Sequence, residues 1–246
     1  MQKMLHVVHH SDYVGPAMAG SSFPHDKYGM VMLALADTGV AIKVHQPEPM
    51  PRQWLEAMHE PDYVEQVLSC TVPSEKERRI GFAVIPRISR RSQLSVGGTW
   101  LAAHLALKHG FAANSAGGSH HALAHTGAGY CVFNDLAVAA NRLLAERTVD
   151  RVMILDLDVH QGDGTASLCA GRDDIFTLSI HAQKNFPAQK ARSTLDVDLP
   201  DGATDDAYLA SLEEVCRRLS IASNPTSFSS RQASIHMPKT GSAGSP

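Results

Sequence analysis

Two short stretches of this chain carry residues that could bind a divalent metal ion and move protons. The first is Leu155-Asp-Leu-Asp-Val-His-Gln-Gly-Asp-Gly164, which continues the apolar run Val152–Leu155. Such a run is typical of a buried parallel strand, and α/β proteins bind ligands at the carboxyl ends of these strands. Asp156, Asp158 and His160 alternate along an extended backbone, so their side chains point the same way, as ligands of one cation must.

The second stretch is Gly117-Gly-Ser-His-His-Ala122, which places His120 and His121 side by side on a glycine-rich turn. A histidine pair can take up and return protons near neutral pH. Together with a metal-binding pair, it indicates metal-activated hydrolysis.

Simpler interpretations compete with this one. An isolated Asp-x-His is usually part of a solvated loop, and two adjacent histidines alone are hardly more specific. Gly162-Asp-Gly-Thr after a strand also imitates a dinucleotide-binding loop. However, the sixth position of that loop is Ser167 and not glycine, and three nearby aspartates would repel a pyrophosphate. The dinucleotide interpretation is therefore rejected.

Three blocks in this order resemble the signature blocks of the zinc-dependent histone deacetylase superfamily. They are Gly117-Gly-Ser-His-His-Ala, Gly127-Ala-Gly-Tyr-Cys-Val-Phe-Asn-Asp135 and Leu155-Asp-Leu-Asp-Val-His-Gln-Gly-Asp-Gly164. Gln161 after the metal histidine is similar to the class IV branch, and the likeness runs from about residue 5 to about residue 215. The resemblance implies a three-layer α/β/α fold with a mostly parallel, arginase/deacetylase-like sheet that is incomplete at the C-terminus.

The resemblance also implies roles for individual residues. Asp158 and His160 would be two of three zinc ligands. His121 would be the general base, with Asp163 accepting from its other ring nitrogen, and His120 would be its partner, oriented by Asp156. The physical reason holds for any such site, because an acceptor on the second ring nitrogen fixes the tautomer of an imidazole.

Further positions match the family's substrate tunnel and its potassium site. Gly129, Tyr130 and Phe186 would form the walls around an acyl-lysine-like chain. Asp156 and Ser179 would match the potassium ligands, so that K⁺ is a possible second cofactor beside Zn²⁺.

Two residues of the family's site have no counterpart in the expected region. These are a third zinc ligand, an aspartate, and a tyrosine that stabilises the oxyanion. No acidic residue follows Glu214 and no tyrosine follows Tyr208. We therefore expect a truncated or frameshifted relative with impaired activity.

Composition excludes several classes of function. The chain has 246 residues, is 43% hydrophobic and 19% charged, and carries a net charge of −3, which does not favour binding to nucleic acid or to anionic membranes. No run is long and apolar enough to cross a bilayer. The four cysteines form no CxxC pair, so a reducing cytoplasm is expected. We expect a solvated face for the basic cluster of Arg87, Arg90 and Arg91.

Strand and helix signals alternate along the chain, which predicts a mostly parallel sheet covered by helices on both faces. The expected strands are Leu5–Val8, Phe111–Ala116, Val152–Asp156 and Ile175–His181. The expected helices are Lys27–Asp37, Arg52–His59, Asp62–Ser69, Gly97–His109, Leu136–Arg147, Thr165–Ala170 and a last one from Thr204 or Asp205 to Arg218. Residues 1–219 are expected to form the domain. Residues 220–246, with eight serines and three prolines, are expected to be a disordered tail.

The sequence thus predicts zinc-dependent hydrolysis of an N-acetyl amide, such as acetyl-lysine or a small acylated amine. Two alternatives stay open. One is a non-catalytic acyl-lysine-binding or regulatory protein. The other is an arginase-like manganese hydrolase, which would need further bridging carboxylates and leaves the histidine pair unexplained.

Overall fold

The computed structural model describes residues 4–16, 22–223 and 234–236, with side chains to residue 219. Its strands are β1 (Leu5–Val8), β2 (Ile42–His45), β3 (Ala112–Asn114), β4 (Val152–Asp156), β5 (Ile175–Ala182), β6 (Leu195–Leu199) and β7 (Ser234–His236). Its helices are α1 (Lys27–Asp37), α2 (Arg52–Glu56), α3 (Pro61–Leu68), α4 (Ser74–Ile80), α5 (Pro86–His109), α6 (Asp135–Ala145), α7 (Asp163–Leu168) and α8 (Asp205–Ser223).

The strands pair in two groups. In the first, β1 lies between β2 and β3, and both pairings are parallel. In the second, the order is β6-β5-β4-β7, with β4, β5 and β6 parallel. Parallel strands joined by helices confirm the predicted three-layer α/β/α class.

Helix α5 connects the two groups of strands, since it packs against β1 and β3 on one side and α6 on the other. It begins at Pro86, so the expected start at Gly97 was eleven residues too late. Proline suits the first turn of a helix because its missing N–H would have no partner there. The first half of the helix contains polar residues, which made its start hard to predict from apolar periodicity. Several of them are buried in the structure, among them Ser92 and Ser95.

The expectation that the arginine cluster forms a solvated face holds for Arg90 but not for Arg91. Arg90 is exposed and pairs with Asp12, its Nε lying 2.6 Å from the carboxylate. Arg91, however, is only 6% exposed, and the Nη1 atom of Arg87 is also buried. The reason is geometric, since successive residues of a helix point in different directions and only Arg90 faces solvent.

The predicted boundary at residue 219 falls within α8, which continues to Ser223. Beyond it, β7 pairs antiparallel with β4 over three residues, satisfying backbone groups along that edge. The remaining residues of 220–246 lie outside the described part, so the disordered tail stays a prediction there. Within the described ranges, no helix is long and apolar enough to cross a membrane.

Candidate active site

The loop that carries the two histidines lies between β3 and α6, and the beginning of α6 holds it in place. Asn134 caps α6 by accepting from the Ala137 N–H, and its Nδ2 donates to the carbonyl oxygens of His120 and Ala122 at 3.3 and 3.4 Å. The buried Asp135 carboxylate accepts from the Gly118 and Ser119 N–H groups. The Gly127–Asp135 block thus fixes the backbone on which the histidines stand.

Each histidine of the pair donates through Nδ1 to its own carboxylate. His120 Nδ1 lies 2.6 Å from Asp156 Oδ2, and His121 Nδ1 lies 2.7 Å from Asp163 Oδ1. Both rings are almost completely buried, with centroids 4.0 Å apart. A carboxylate at Nδ1 places the proton on that atom and leaves Nε2 of a neutral ring as a proton acceptor.

The two rings nevertheless differ in basicity. Burial lowers the pKa of His121, and the neighbouring His120 and His160 lower it further, against the opposing effect of Asp163. Burial also acts on His120, but Asp156 and Asp158 outweigh it and raise the pKa of that ring. The pKa of His121 therefore lies below its ordinary value and that of His120 above it, so His121 is the ring that loses its proton more readily.

Asp158 and His160 follow the end of β4 and face the same cavity. The Nδ1 atom of His160 lies 3.0 Å from Asp158 Oδ1, and each side chain is a little over one-third exposed. The Asp158 N–H donates to Asp156 Oδ1, which fixes the turn after the strand. Burial opposes ionisation of Asp158, but hydrogen bonds and charge from His160 and His120 outweigh it and lower the pKa of the carboxyl.

This pair fits part of a zinc site. Two ligands of one tetrahedral zinc ion stand about 3.4 Å apart, close to the observed separation, and carboxylate oxygen with imidazole nitrogen is a donor set that zinc accepts. In the described ranges, however, no group of three histidine, cysteine or acidic side chains is arranged to hold a metal. The described residues therefore offer two candidate ligands and not a complete site.

The cavity in front of the histidines has a volume of about 1010 Å³ and is lined by residues of both predicted walls. Tyr130 and Phe186 are 39% and 43% exposed at its surface, and the Phe186 ring meets His121 edge-on, with centroids 4.8 Å apart. Gly129 has φ +52°, and a Cβ there would collide with the His121 ring. Only glycine allows the chain to pass so close to the His121 ring.

The two residues matched to a potassium site are neighbours in the sheet, because Asp156 on β4 pairs in register with Ser179 on β5. Both line an internal cavity of about 10 Å³, together with Thr177 and Ser193. Carboxylate and hydroxyl oxygens are donors for hard cations, and the space is about that of one water-sized sphere.

Two supporting residues were not assigned roles from sequence. Gln161, only 1% exposed, donates through Nε2 to Ala191 O and Asp196 Oδ1 and accepts from the Ala191 N–H. It thereby ties the turn that carries Asp158 and His160 to the segment that carries Phe186. His59 accepts from the Asn134 N–H and hydrogen-bonds Leu123 O, linking the histidine loop to α6. The motif His59-Glu-Pro-Asp-Tyr-Val64 was the only signal for it.

Comparison with known proteins adds independent information. A family model described as the histone deacetylase domain matches residues 21–227. An uncharacterized protein of Picosynechococcus sp. is 45% identical over 205 residues, covering 82% of this chain and 68% of that protein. Histone deacetylase 2 of Arabidopsis thaliana is 29% identical over 203 residues, covering 78% and 52%.

One further relative matches a shorter part of the chain, and one solved structure has a similar fold. The histone deacetylase-like amidohydrolase of Pseudomonas aeruginosa is 34% identical over 107 residues, covering 39% of this chain and 28% of that protein. The crystal structure of the HDA15 HD domain has a TM-score of 0.73 at 18% identity, covering 88% of this chain and 70% of that one. The latter likeness concerns the fold alone. The chain spans about half the length of the Arabidopsis relative.

Proposed function

The chain belongs to the histone deacetylase family, and we propose that its site is built for zinc-dependent hydrolysis of an N-acetyl amide. The substrate class is acetyl-lysine or a similar small acylated amine. One observation carries the proposal: the Asp158–His160 donor pair faces the same cavity as His121, whose Nδ1 is held by Asp163.

Asp158 and His160 would hold the zinc. The ion, when bound, supplies Lewis-acid chemistry, lowering the pKa of water and polarising an amide carbonyl. Potassium is the proposed second cofactor, at the small cavity between Asp156 and Ser179.

The proton chemistry belongs to the chain's own residues. His121, with its lowered pKa and its Nδ1 proton directed at Asp163, accepts a proton from the attacking water through Nε2. The proton is then delivered to the amine that leaves. His120, with its raised pKa, is the ring of the pair that binds a proton more readily, and a protonated His120 would stabilise the negative charge that develops on the reacting carbonyl.

We further propose that these 246 residues hydrolyse such amides poorly. The described part supplies two ligands where three protein ligands are usual for a catalytic zinc. Loss of one oxyanion-stabilising donor would add about 2.7–4 kcal/mol to the barrier. The two losses need not add, because such groups act as a unit.

The test is to fuse the C-terminal part of an intact relative after about residue 215. Zinc content by mass spectrometry and turnover of an acetyl-lysine reporter are then measured for the chain and the fusion. Both should increase together in the fusion. His121→Ala in the fusion should abolish turnover and leave zinc in place, because His121 is a base and not a ligand.

Other outcomes would contradict the proposed impairment or favour one of the two alternative functions. Strong zinc-dependent turnover by the unfused chain would contradict the proposed impairment. A zinc-loaded fusion that binds an acetyl-lysine peptide without hydrolysing it would favour the non-catalytic alternative. Activity that requires manganese would favour the arginase-like alternative.

A further inference from the structure

Asp135, the first residue of α6, is a fully buried carboxylate that takes no part in the proposed proton transfers. Both of its oxygens are occupied by the loop before the histidine pair. Oδ1 accepts from the Ser119 N–H at 2.6 Å, and Oδ2 accepts from the Gly118 N–H at 3.0 Å and from the Thr99 hydroxyl. Burial raises the pKa of Asp135, and these three hydrogen bonds act in the opposite direction. A buried carboxylate is costly even when it is hydrogen-bonded, so its place here requires an explanation.

A chain of hydrogen bonds extends from Asp135 to the first group of strands. Asn114, the last residue of β3, donates through Nδ2 to Thr99 Oγ1 and to Ser95 O, both at 2.9 Å. Its Oδ1 accepts from the Ala116 N–H at 3.3 Å. The position of the Asp135 carboxylate is therefore tied to β3 and to α5.

The imidazole rings, in contrast, are held by the second group of strands and the helix that follows it. The acceptor for His120 Nδ1 is Asp156, the last residue of β4. The acceptor for His121 Nδ1 is Asp163, the first residue of α7. Strands β3 and β4 belong to separate groups of hydrogen-bonded strands. The rings therefore meet their carboxylates only if the loop is placed correctly between the two groups.

The loop also has little space in which to move. A Cβ at Gly117 would lie 2.9 Å from Thr99 Oγ1 and 3.0 Å from Asp135 Oδ2. We propose that Asp135 is a positioning residue, which orients the histidine pair toward its two carboxylates through the Gly118 and Ser119 N–H groups. Its effect on turnover rests on the proposed function, whereas its effect on the loop and the rings does not.

Asp135→Asn tests this role with almost no change in volume. An amide has a single oxygen, so it sets an NH₂ donor against one of the two N–H groups that the carboxylate accepts. In the unfused chain, the amide protons of Gly118 and Ser119 should exchange at least about tenfold faster relative to the other amides of the chain. The ¹H NMR signals of the His120 and His121 Nδ1 protons should shift or disappear.

The two substitutions of Thr99 provide a second, milder test. Thr99→Val keeps the shape but removes the hydroxyl between Asn114 and Asp135. It should change exchange and the ring signals in the same direction as Asp135→Asn, but less. Thr99→Ser keeps the hydroxyl and should restore the wild-type values. This pair decides the question even if Asp135→Asn does not fold.

Val138→Ala is the matched control on the same helix, because Val138 is buried in the apolar core. It should lower the overall stability without a selective effect on the Gly118 and Ser119 amides or on the ring signals. In the active fusion, Asp135→Asn should lower kcat about 10–100-fold, since small misplacements of catalytic groups are costly. KM should stay within about twofold and zinc content should not change, because the variant alters the base and neither the ligands nor substrate binding.

The outcomes separate this inference from the proposed function. An inactive wild-type fusion would contradict the proposed hydrolysis, and the exchange rates and ring signals would still decide the role of Asp135. Unchanged exchange and ring signals in Asp135→Asn, or the same selective changes in Val138→Ala, would overturn the positioning role. A rise in KM with unchanged kcat would also count against it.

Discussion

Lowering the pH from 6.5 toward 4 should destabilise the fold through His59, which stays neutral in the folded chain. His59 is 2% exposed, and burial lowers its pKa to about 4. Both nitrogens of its neutral ring are hydrogen-bonded, because Nδ1 donates to Leu123 O at 2.9 Å and Nε2 accepts from the Asn134 N–H at 3.0 Å. A second ring proton would set a donor against the Asn134 donor.

The direction follows from which state binds the proton first. In an unfolded chain the pKa of a histidine is about 6.5, so between pH 6.5 and 4 the unfolded state is protonated and the folded state is not. The contribution of His59 is complete above pH 6.5 and is lost as pH falls. The loss is about 2 kcal/mol by pH 5 and about 3 kcal/mol in total.

Urea unfolding at pH 7.5 and at pH 5 measures this loss directly. His59→Gln removes the titration, so the variant should lose about 2 kcal/mol less stability than wild type over this interval. His125→Gln is the control, since His125 is exposed and lies in the same loop. Equal losses in wild type and His59→Gln would refute the reasoning.

Three further predictions concern the candidate site. Asp158→Ala or His160→Ala should each reduce bound zinc at least about tenfold, whereas Asp163→Ala should reduce it less, because Asp163 holds His121 and not a proposed ligand. Equal zinc in wild type and the Asp158/His160 double variant would contradict the ligand assignment. Gln161→Ala should lower the free energy of unfolding by about 1–3 kcal/mol and speed hydrogen exchange in residues 185–191, because buried partners lose their hydrogen bonds. Unchanged exchange in these residues would count against an anchoring role for Gln161. The active fusion should hydrolyse an acetyl-lysine peptide with acidic flanks in preference to an acetylated polyamine, and Arg79→Glu should reduce this preference. Preferred hydrolysis of the polyamine would contradict the prediction.

The last of these predictions rests on the charge of the cavity walls. The cationic side chains that line the cavity outnumber the acidic ones, Asp158 and Asp163. The cations are Lys27, Arg78, Arg79, Arg91 and Lys190. Both acidic groups are already engaged, Asp158 with His160 and Asp163 with His121. The walls therefore attract an acidic substrate and repel a polycation.

The sequence predicted well the elements whose signals are local. Strand β4 and the His–Asp positions after it could be located because an apolar run and a compact motif lie in one segment. Helix α1 begins and ends as its periodicity indicated. These features need no knowledge of what packs against them.

Features that depend on tertiary partners were missed. The first half of α5 reads as polar, but its serines are buried because their hydroxyls donate to backbone carbonyls, as Ser92 does to Ile88 and Ser95 does to Ala116. Strand β2 has only four residues with mixed exposure, so it shows no alternation. The roles of Gln161 and His59 lie entirely in contacts with distant segments, which no pattern in one stretch of sequence reveals.

The histidine pair shows why residue identity alone could not assign the chemistry. His120 and His121 are adjacent, both are buried, and each has one carboxylate on Nδ1. Their pKa values nevertheless move in opposite directions. His120 is surrounded by the charges of three aspartates, whereas His121 has one aspartate and two neighbouring histidines. The fold creates this difference by placing Asp156 and Asp158, at and after the end of β4, near His120, and Asp163, at the start of α7, on His121. The direction of each pKa is therefore set by the surroundings and not by the residue type.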